Sequence, residues 1–249
     1  MQNWILNSFL GFVVFALFAM PPHAVAKEGT FVVTQKHYFL GRWVVSLTKD
    51  RVKAVSLVDG YSIVAIAPAW KVVFYRDDTQ KSFETSMVSF LKTGLTITQG
   101  YVTEAEVEKS VPIPNKYKGL QTTAYEFYRG DMSRSKPAWT LADVPKEAAV
   151  RVSKYWIAPF ISNQPTICHF VQKLFTVPLA TGYPVAFIDT RTDNSSNAVL
   201  DILSCKAKPP GDVQIEYPKN YKVCKSQHDV TLSAHAMQNM DEWAHSLGQ

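Results

Sequence analysis

The residues of this chain whose types could support catalysis or metal binding are its cysteines, histidines and one pair of adjacent aspartates. Cys168 and His169 are neighbours, so their side chains point in different directions, a poor geometry for a thiol nucleophile and its base. Cys224, His228 and His235 could in principle share a metal ion, but their spacing does not match that of a zinc site. A surface or capping role is the better interpretation of each.

The remaining motifs of catalysis are missing from the sequence. It contains no G-x-S-x-G, no H-E-x-x-H and no glycine-rich loop that could hold a phosphate. The acidic pair Asp77 and Asp78 precedes "TQ", which is typical of a solvated hairpin turn. We therefore expect a protein that is not an enzyme, with no catalytic residue, no metal and no cofactor.

Three cysteines are present, and they allow one disulfide with one thiol left over. Cys205 and Cys224 both lie in strand-like segments and are the candidate pair. The alternative is that Cys168, Cys205 and Cys224 are all buried and unpaired, behaving as small hydrophobic residues.

The N-terminal segment predicts where the protein is located. Residues 1–26 contain no Lys, Arg, Asp or Glu, and an apolar run leads into "PPHAVA" with small residues at Ala24 and Ala26. This order is typical of a secretory signal peptide. The alternative is an uncleaved membrane anchor, for which the apolar run of about 16 residues is short. We expect cleavage near Ala26 and a periplasmic or secreted mature chain, 27–249. No cysteine lies near the junction, so a lipid anchor is not expected.

The charge of the chain limits its partners. Its 26 basic and 21 acidic residues give a formal net charge of +5, and the basic residues are scattered. Scattered cations and export both disfavour nucleic-acid binding. A transient, mild attraction to an anionic membrane surface is compatible with this charge.

An antiparallel meander is predicted from Gly41 to Phe83. Strand-like runs alternate with turns at intervals of about 10 residues. The turns are "TKD" at 48–50, "DG" at 59–60, the proline at 68 and "DDTQ" at 77–80. An Asp-Gly pair between apolar runs is a strong hairpin predictor.

Several of these strands are apolar on both faces, as in the run "IVAI" at 63–66. A sheet with one wet face would not need this pattern. Either helices cover one face while other strands cover the second, or one face lines an apolar cavity. The pattern alone favours the first explanation.

The rest of the chain predicts a mixture of elements. Strands are predicted from "LQTTAYEFYRG", "YPVAFIDTR" and "NAVLDILSCKAK", whereas 103–119 indicates a short helix and a loop. Helical spacing of Ala149, Val152, Tyr155 and Trp156 predicts a helix from about residue 146, and "TICHFVQKLF" a second one after Pro165. "AHAMQNMDEWAHSL" predicts a C-terminal helix at about 232–247. One α+β domain is the simplest organisation.

Three segments and the order of elements around them resemble the periplasmic LolA/LppX-like superfamily. The segments are "KAVSLVDGYSIVAIAPAWKVVFYRDDTQKSF" (53–83), "GYPVAF" (182–187) and "YPKNYKVCKSQHDV" (217–230). The resemblance implies an open antiparallel half-barrel, a curved β-sheet with helices packed across its concave side. The C-terminal helix and the three cysteines are additions to that pattern.

The resemblance also implies a function. Members of the superfamily carry lipoproteins or lipids in the apolar hollow, so we expect an exported, non-enzymatic protein that binds a lipid or other apolar small molecule. The lining residues would be Trp43, Val45, Leu47, Ile63, Trp70, Val72 and Phe74, each of which could equally be sealed core. The alternative function is an interaction or sensor module with a filled pocket, whose sheet edge accepts a strand of an envelope protein.

Overall fold

The computed structural model describes residues 29–95, 107, 109–128, 150–191 and 193–232. Twelve strands and three helices have their bounds within them, and Val107 and Lys109 are also helical. The strands are β1 (Thr30–His37), β2 (Gly41–Leu47), β3 (Arg51–Ser56), β4 (Tyr61–Ile66), β5 (Lys71–Arg76), β6 (Lys81–Ser86), β7 (Ile113–Tyr117), β8 (Leu120–Tyr128), β9 (Val150–Ala158), β10 (Tyr183–Arg191), β11 (Ser196–Lys208) and β12 (Lys222–Val223). The helices are α1 (Met87–Thr93), α2 (Pro165–Leu174) and α3 (His228–Thr231).

All twelve strands form one large, curved and unclosed sheet in the order β12-β6-β5-β4-β3-β2-β1-β11-β10-β9-β8-β7. The strands from β1 to β6 form one part of the sheet and those from β7 to β11 the other, and the two parts join where β1 pairs with β11. Neighbouring strands are antiparallel, except that β12 runs parallel to β6. The meander predicted from Gly41 onward is confirmed as β2 to β6.

Two predicted elements are wrong, and both errors concern the second half of the sheet. The predicted helix from about residue 146 is replaced by β9, which pairs with β8 and β10 on its two sides. A central strand is buried on both faces, so its apolar run "YWIA" carries no alternation to distinguish it from a helix. The predicted loop at 113–117 is β7, an edge strand, where Pro114 is tolerated because one side of the strand needs no partner.

Separate segments of the chain bury the two faces of the strands that are apolar on both sides. On β4 and β5, the side chains of Val64 and Tyr75 are buried against Ile215, a residue of the segment that follows β11. The other face packs against residues of α1 and α2, described below. A strand buried by separate segments on its two faces needs apolar residues at successive positions, which explains the "IVAI" pattern.

Local signals position the two longer helices. Ser86 caps α1 by accepting a hydrogen bond at Oγ from the N–H of Ser89 (3.1 Å), and Gly94 ends the helix at φ 60°. α2 is confirmed and begins at Pro165, one residue before the predicted helix, and the Gln164 side chain accepts a hydrogen bond from the N–H of Ile167 (3.0 Å).

Three predicted segments lie wholly or largely outside the described residues: the signal peptide at 1–26, the beginning of the short helix predicted within 103–119, and most of the C-terminal helix at 232–247, which includes His235. α3 ends before that segment, at Thr231. Among the helices that the structure describes, none has the length and apolar character needed to cross a bilayer.

Candidate functional site

Six of the seven predicted lining residues share one face of the sheet. Val45 lies opposite Ala54, Ala54 opposite Ile63, and Ile63 opposite Phe74 in successive antiparallel pairs. Residues directly opposite on paired strands project from the same face. We call the face that carries the six the Trp43 face. Its members are Trp43, Val45, Leu47, Ile63, Val72 and Phe74, each no more than 1% exposed.

The seventh residue, Trp70, lies in the turn between β4 and β5 rather than in a strand. Its backbone is in the left-handed region, at φ 47°, and its side chain is partly buried against the main core. Trp70 therefore borders the Trp43 face at the end of the strands. Whether any of the seven residues contacts a ligand stays a prediction.

Aromatic side chains of the chain itself lie against the Trp43 face. The ring of Phe90, on α1, is 6.0 Å from the ring of Phe74 and stacks at 5.0 Å on Phe170 of α2. Phe175, just after α2, meets Trp43 edge-on at 6.0 Å. In this structure these rings fill the space beside the Trp43 face.

The two helices on this face are attached differently. α2 is tied to the segment before β10, because the Gln172 amide donates to the carbonyls of Ala180 (2.7 Å) and Gly182 (2.9 Å) and accepts from the N–H of Ala180 (3.3 Å). The hydrogen bonds of α1 stay within the helix and its caps in the described part of the chain. α1 follows β6 directly in the chain, and its other contacts with the sheet among these residues are apolar.

A cavity of about 280 Å³ lies at the end of the sheet near the β1–β2 and β3–β4 turns. It brings together four segments that are distant in sequence. Its lining comprises Phe39, Leu40, Asp59, Tyr61, Leu95, Gln227, His228 and Thr231. None of the seven predicted lining residues is among them. Pattern analysis of single segments could not find this cavity, because its walls come from the sheet, the end of α1 and α3.

The polar groups of the cavity do not form a catalytic arrangement. Asp59 Oδ2 accepts a hydrogen bond from Ser56 Oγ (3.1 Å), so that carboxylate is held by its own turn. Burial, and secondarily the charge of Asp59, raise the pKa of Tyr61 far above its usual value, while Arg76 opposes the shift. A phenol that stays protonated can donate a hydrogen bond but cannot act as a base near neutral pH.

A buried histidine lies beside this cavity. His37 is 1% exposed, and its Nδ1 accepts a hydrogen bond from the N–H of Leu40 (3.1 Å). Its ring lies 6.1 Å from the ring of Phe175, nearly parallel to it. Burial lowers the pKa of His37 to about 4, although the backbone of Phe175 opposes the shift. The imidazole is therefore neutral at physiological pH and shapes the β1–β2 turn.

The three cysteines are free thiols in the structure. Cys205 is on β11, whereas Cys224 follows β12, seven steps away in the strand order. The Cys205–Cys224 pair considered from the sequence is therefore not formed here. Burial raises the pKa of Cys205 to about 11 and also raises that of Cys168, which disfavours their reactive thiolate forms. No cluster of metal-ligating side chains occurs among the described residues.

Comparisons with known proteins give no family for this chain. No family model and no curated protein matches it. An uncharacterized conserved protein from Thermus thermophilus is similar at a TM-score of 0.41 and 10% identity, over 80% of this chain and 91% of that one. A structure of PNGF-II is similar at 0.39 and 9% identity, and the chain spans 31% of it. At these TM-scores neither similarity bears on fold or function, and the resemblance to the LolA/LppX-like superfamily stays a prediction.

Proposed function

We propose that this protein is an exported, non-enzymatic binding protein that holds a lipid or another apolar ligand between a half-open β-sheet and helices lying across its concave side. The observation that carries the proposal is the attachment of α1. This helix covers the Trp43 face through rings, above all Phe90 between Phe74 and Phe170, without a hydrogen bond to the sheet among the described residues. The present structure is then the closed form.

Displacing α1 costs less free energy than the burial of an acyl chain provides. Lifting α1 exposes its two buried side chains, Met87 and Phe90, at a cost of about 3–6 kcal/mol. Each methylene of an acyl chain that becomes buried contributes about 0.8 kcal/mol, so roughly four to eight methylenes offset this cost. A long-chain lipid brings more than that number. Displacement of α1 by an acyl chain is therefore favourable on these terms.

The second candidate function is an interaction module with a filled pocket. The near-complete burial of the six Trp43-face side chains favours it, because a sealed core needs no ligand. In its sequence-based form this alternative uses a sheet edge that accepts a partner strand.

The β7 edge is poorly suited to strand addition. Residues 118 and 119 form a two-residue turn with both φ values positive, 48° and 82°. The alternation of hydrogen bonds from that turn directs the backbone of positions 112, 114 and 116 away from β8. Pro112 and Pro114 have no N–H, and the N–H of Lys116 donates to Asn115 Oδ1 (2.6 Å). A partner strand would find no free backbone N–H donor at these positions. We therefore prefer the ligand-binding function to the interaction module.

Native mass spectrometry of the protein isolated from the cell envelope, followed by organic extraction, tests the proposal. We expect a stoichiometric apolar molecule to accompany the protein. A mass without any ligand, together with no binding of a fluorescent C16 fatty acid, would overturn the proposal and leave the filled module.

A variant pair sharpens the test. Phe90→Ala should raise the affinity for the C16 probe about tenfold or more, because displacement of α1 then exposes less apolar surface. Val88→Ala is the matched control, since Val88 is on the same helix but 65% exposed, and it should leave the affinity unchanged. The probe should also speed hydrogen exchange in α1 and not in α2. Equal exchange in α1 with and without bound probe would contradict the displacement of this helix.

A further inference from the structure

Two neighbouring turns present a cluster of exposed apolar side chains at one end of the sheet. Tyr38 and Phe39, in the β1–β2 turn, are 57% and 59% exposed. Leu57 and Val58, in the β3–β4 turn, are 53% and 69% exposed. We call these four residues the apolar tip. Contiguous exposed apolar surface is unusual on a soluble protein and commonly marks an interaction site.

The apolar tip is held rigidly rather than carried on a loose loop. The N–H of Tyr38 donates to the carbonyl of Val199 (2.9 Å), and the N–H of Leu57 donates to the carbonyl of Arg42 (2.9 Å), which joins the two turns. Val58 also packs on Gly41 so closely that a Cβ there would lie 2.6 Å from Val58 Cγ2. Local backbone contacts therefore fix these side chains in water-exposed positions.

Two cations lie directly behind the apolar tip. Lys36 and Arg42 face each other across the β1–β2 pair, one step inside the turn, and both are exposed. They project from the face opposite the Trp43 face, because the adjacent pair, Gln35 and Trp43, belongs to that face. Neither cation forms an ion pair within the described part of the chain. Both nearby acids are engaged elsewhere: Asp59 accepts a hydrogen bond from Ser56 Oγ, and Asp201, opposite Lys36 on β11, pairs with Lys118 Nζ at 2.7 Å.

This layering matches the cross-section of a membrane surface. Phenyl, phenol and aliphatic side chains at the outermost position suit the boundary between headgroups and acyl chains. Lysine and arginine one step behind them would then lie at the level of the headgroup phosphates, where anionic lipids attract them. A protein partner would instead need a groove or edge of matching shape, whereas these side chains stand at the ends of hairpins.

We propose that the apolar tip, together with Lys36 and Arg42, is a docking surface for an anionic lipid bilayer. This docking concerns the outer surface of the protein and does not require a ligand in its interior. It also places one wall of the 280 Å³ cavity near the membrane, because Phe39 both belongs to the tip and lines that cavity.

Co-sedimentation of the isolated protein with vesicles tests the proposal. The vesicles contain phosphatidylcholine alone or phosphatidylcholine with about 30% phosphatidylglycerol. We expect binding to the anionic vesicles that is about tenfold stronger than to neutral ones and falls with added salt. Absence of binding to the anionic vesicles would overturn the proposal, whatever the result with the C16 probe.

Matched variants distinguish binding through the apolar tip from nonspecific binding to vesicles. Leu57→Ser with Val58→Ser should lower the binding about tenfold or more, whereas Val88→Ser with Val111→Ser, which changes exposed side chains elsewhere, should not. Lys36→Gln with Arg42→Gln should lower it about tenfold, and Lys206→Gln with Lys208→Gln much less. All variants carry the same N-terminal segment, so differences in vesicle binding between them arise from the substituted residues. Equal losses in the control pairs, or a tip that proves to mediate self-association on a sizing column instead, would contradict bilayer docking.

Discussion

Acid should destabilise the folded protein through a single buried histidine. His37 is enclosed by the β1–β2 turn and Phe175, and burial lowers its pKa from 6.5 to about 4. In the unfolded chain the imidazole is exposed and regains the ordinary value. The unfolded state therefore binds a proton at a higher pH than the folded state does, and protonation favours unfolding.

The magnitude follows from these two pKa values. The stability contributed by the neutral imidazole is fully present above pH 6.5, decreases as the pH falls below that value, and levels off below about pH 4. Integration of the linkage relation gives a loss in the free energy of unfolding of about 2 kcal/mol at pH 5 and about 3 kcal/mol at pH 4.

Urea denaturation of the native chain and of His37→Asn, repeated from pH 7 to pH 4, measures this effect. The asparagine side-chain oxygen can replace Nδ1 as acceptor for the N–H of Leu40 without titrating. Carboxylates and the other histidines change both proteins equally, so the difference between the two free energies isolates His37. We expect that difference to shift by about 2 kcal/mol between pH 7 and pH 5. Parallel curves, within about 0.5 kcal/mol over this range, would refute the reasoning.

Two further substitutions, each with a control, test which contacts stabilise the ends of the sheet. Arg76→Met should cost about 2–4 kcal/mol in urea denaturation, because Arg76 is 2% exposed and donates to the last two carbonyls of α3. Arg51→Met, at an exposed ion pair, should cost less than about 1 kcal/mol, and equal losses would contradict this assignment. Gly41→Ala should cost about 2–3 kcal/mol because of its φ of 71° and the contact with Val58. Gly119→Ala, at φ 82° with open space around it, should cost about 1 kcal/mol; a similar loss at both glycines would argue against the Val58 contact.

Local patterns determined β2 to β6 and α2, whereas β1 was not predicted. The turn residues at 48–50 and 59–60 fix where each strand of the meander ends, since Asp-Gly favours a hairpin whatever surrounds it. Pro165 likewise marks the first turn of α2, because a missing N–H is tolerated only there. These signals act over a few residues and need no partner.

Only the tertiary structure decided the features that depend on burial by distant segments. β9 has the composition of a helix or a strand, and its pairing with β8 and β10 selects the strand. The two-faced apolar pattern was compatible with a cavity or with two covers. Ile215 supplies one cover from far along the chain, and Phe90, on the helix that follows β6, supplies the other. The cavity beside Tyr61 is built in the same way. A sequence pattern states that a side chain avoids water, but the fold alone determines which distant segment excludes the water.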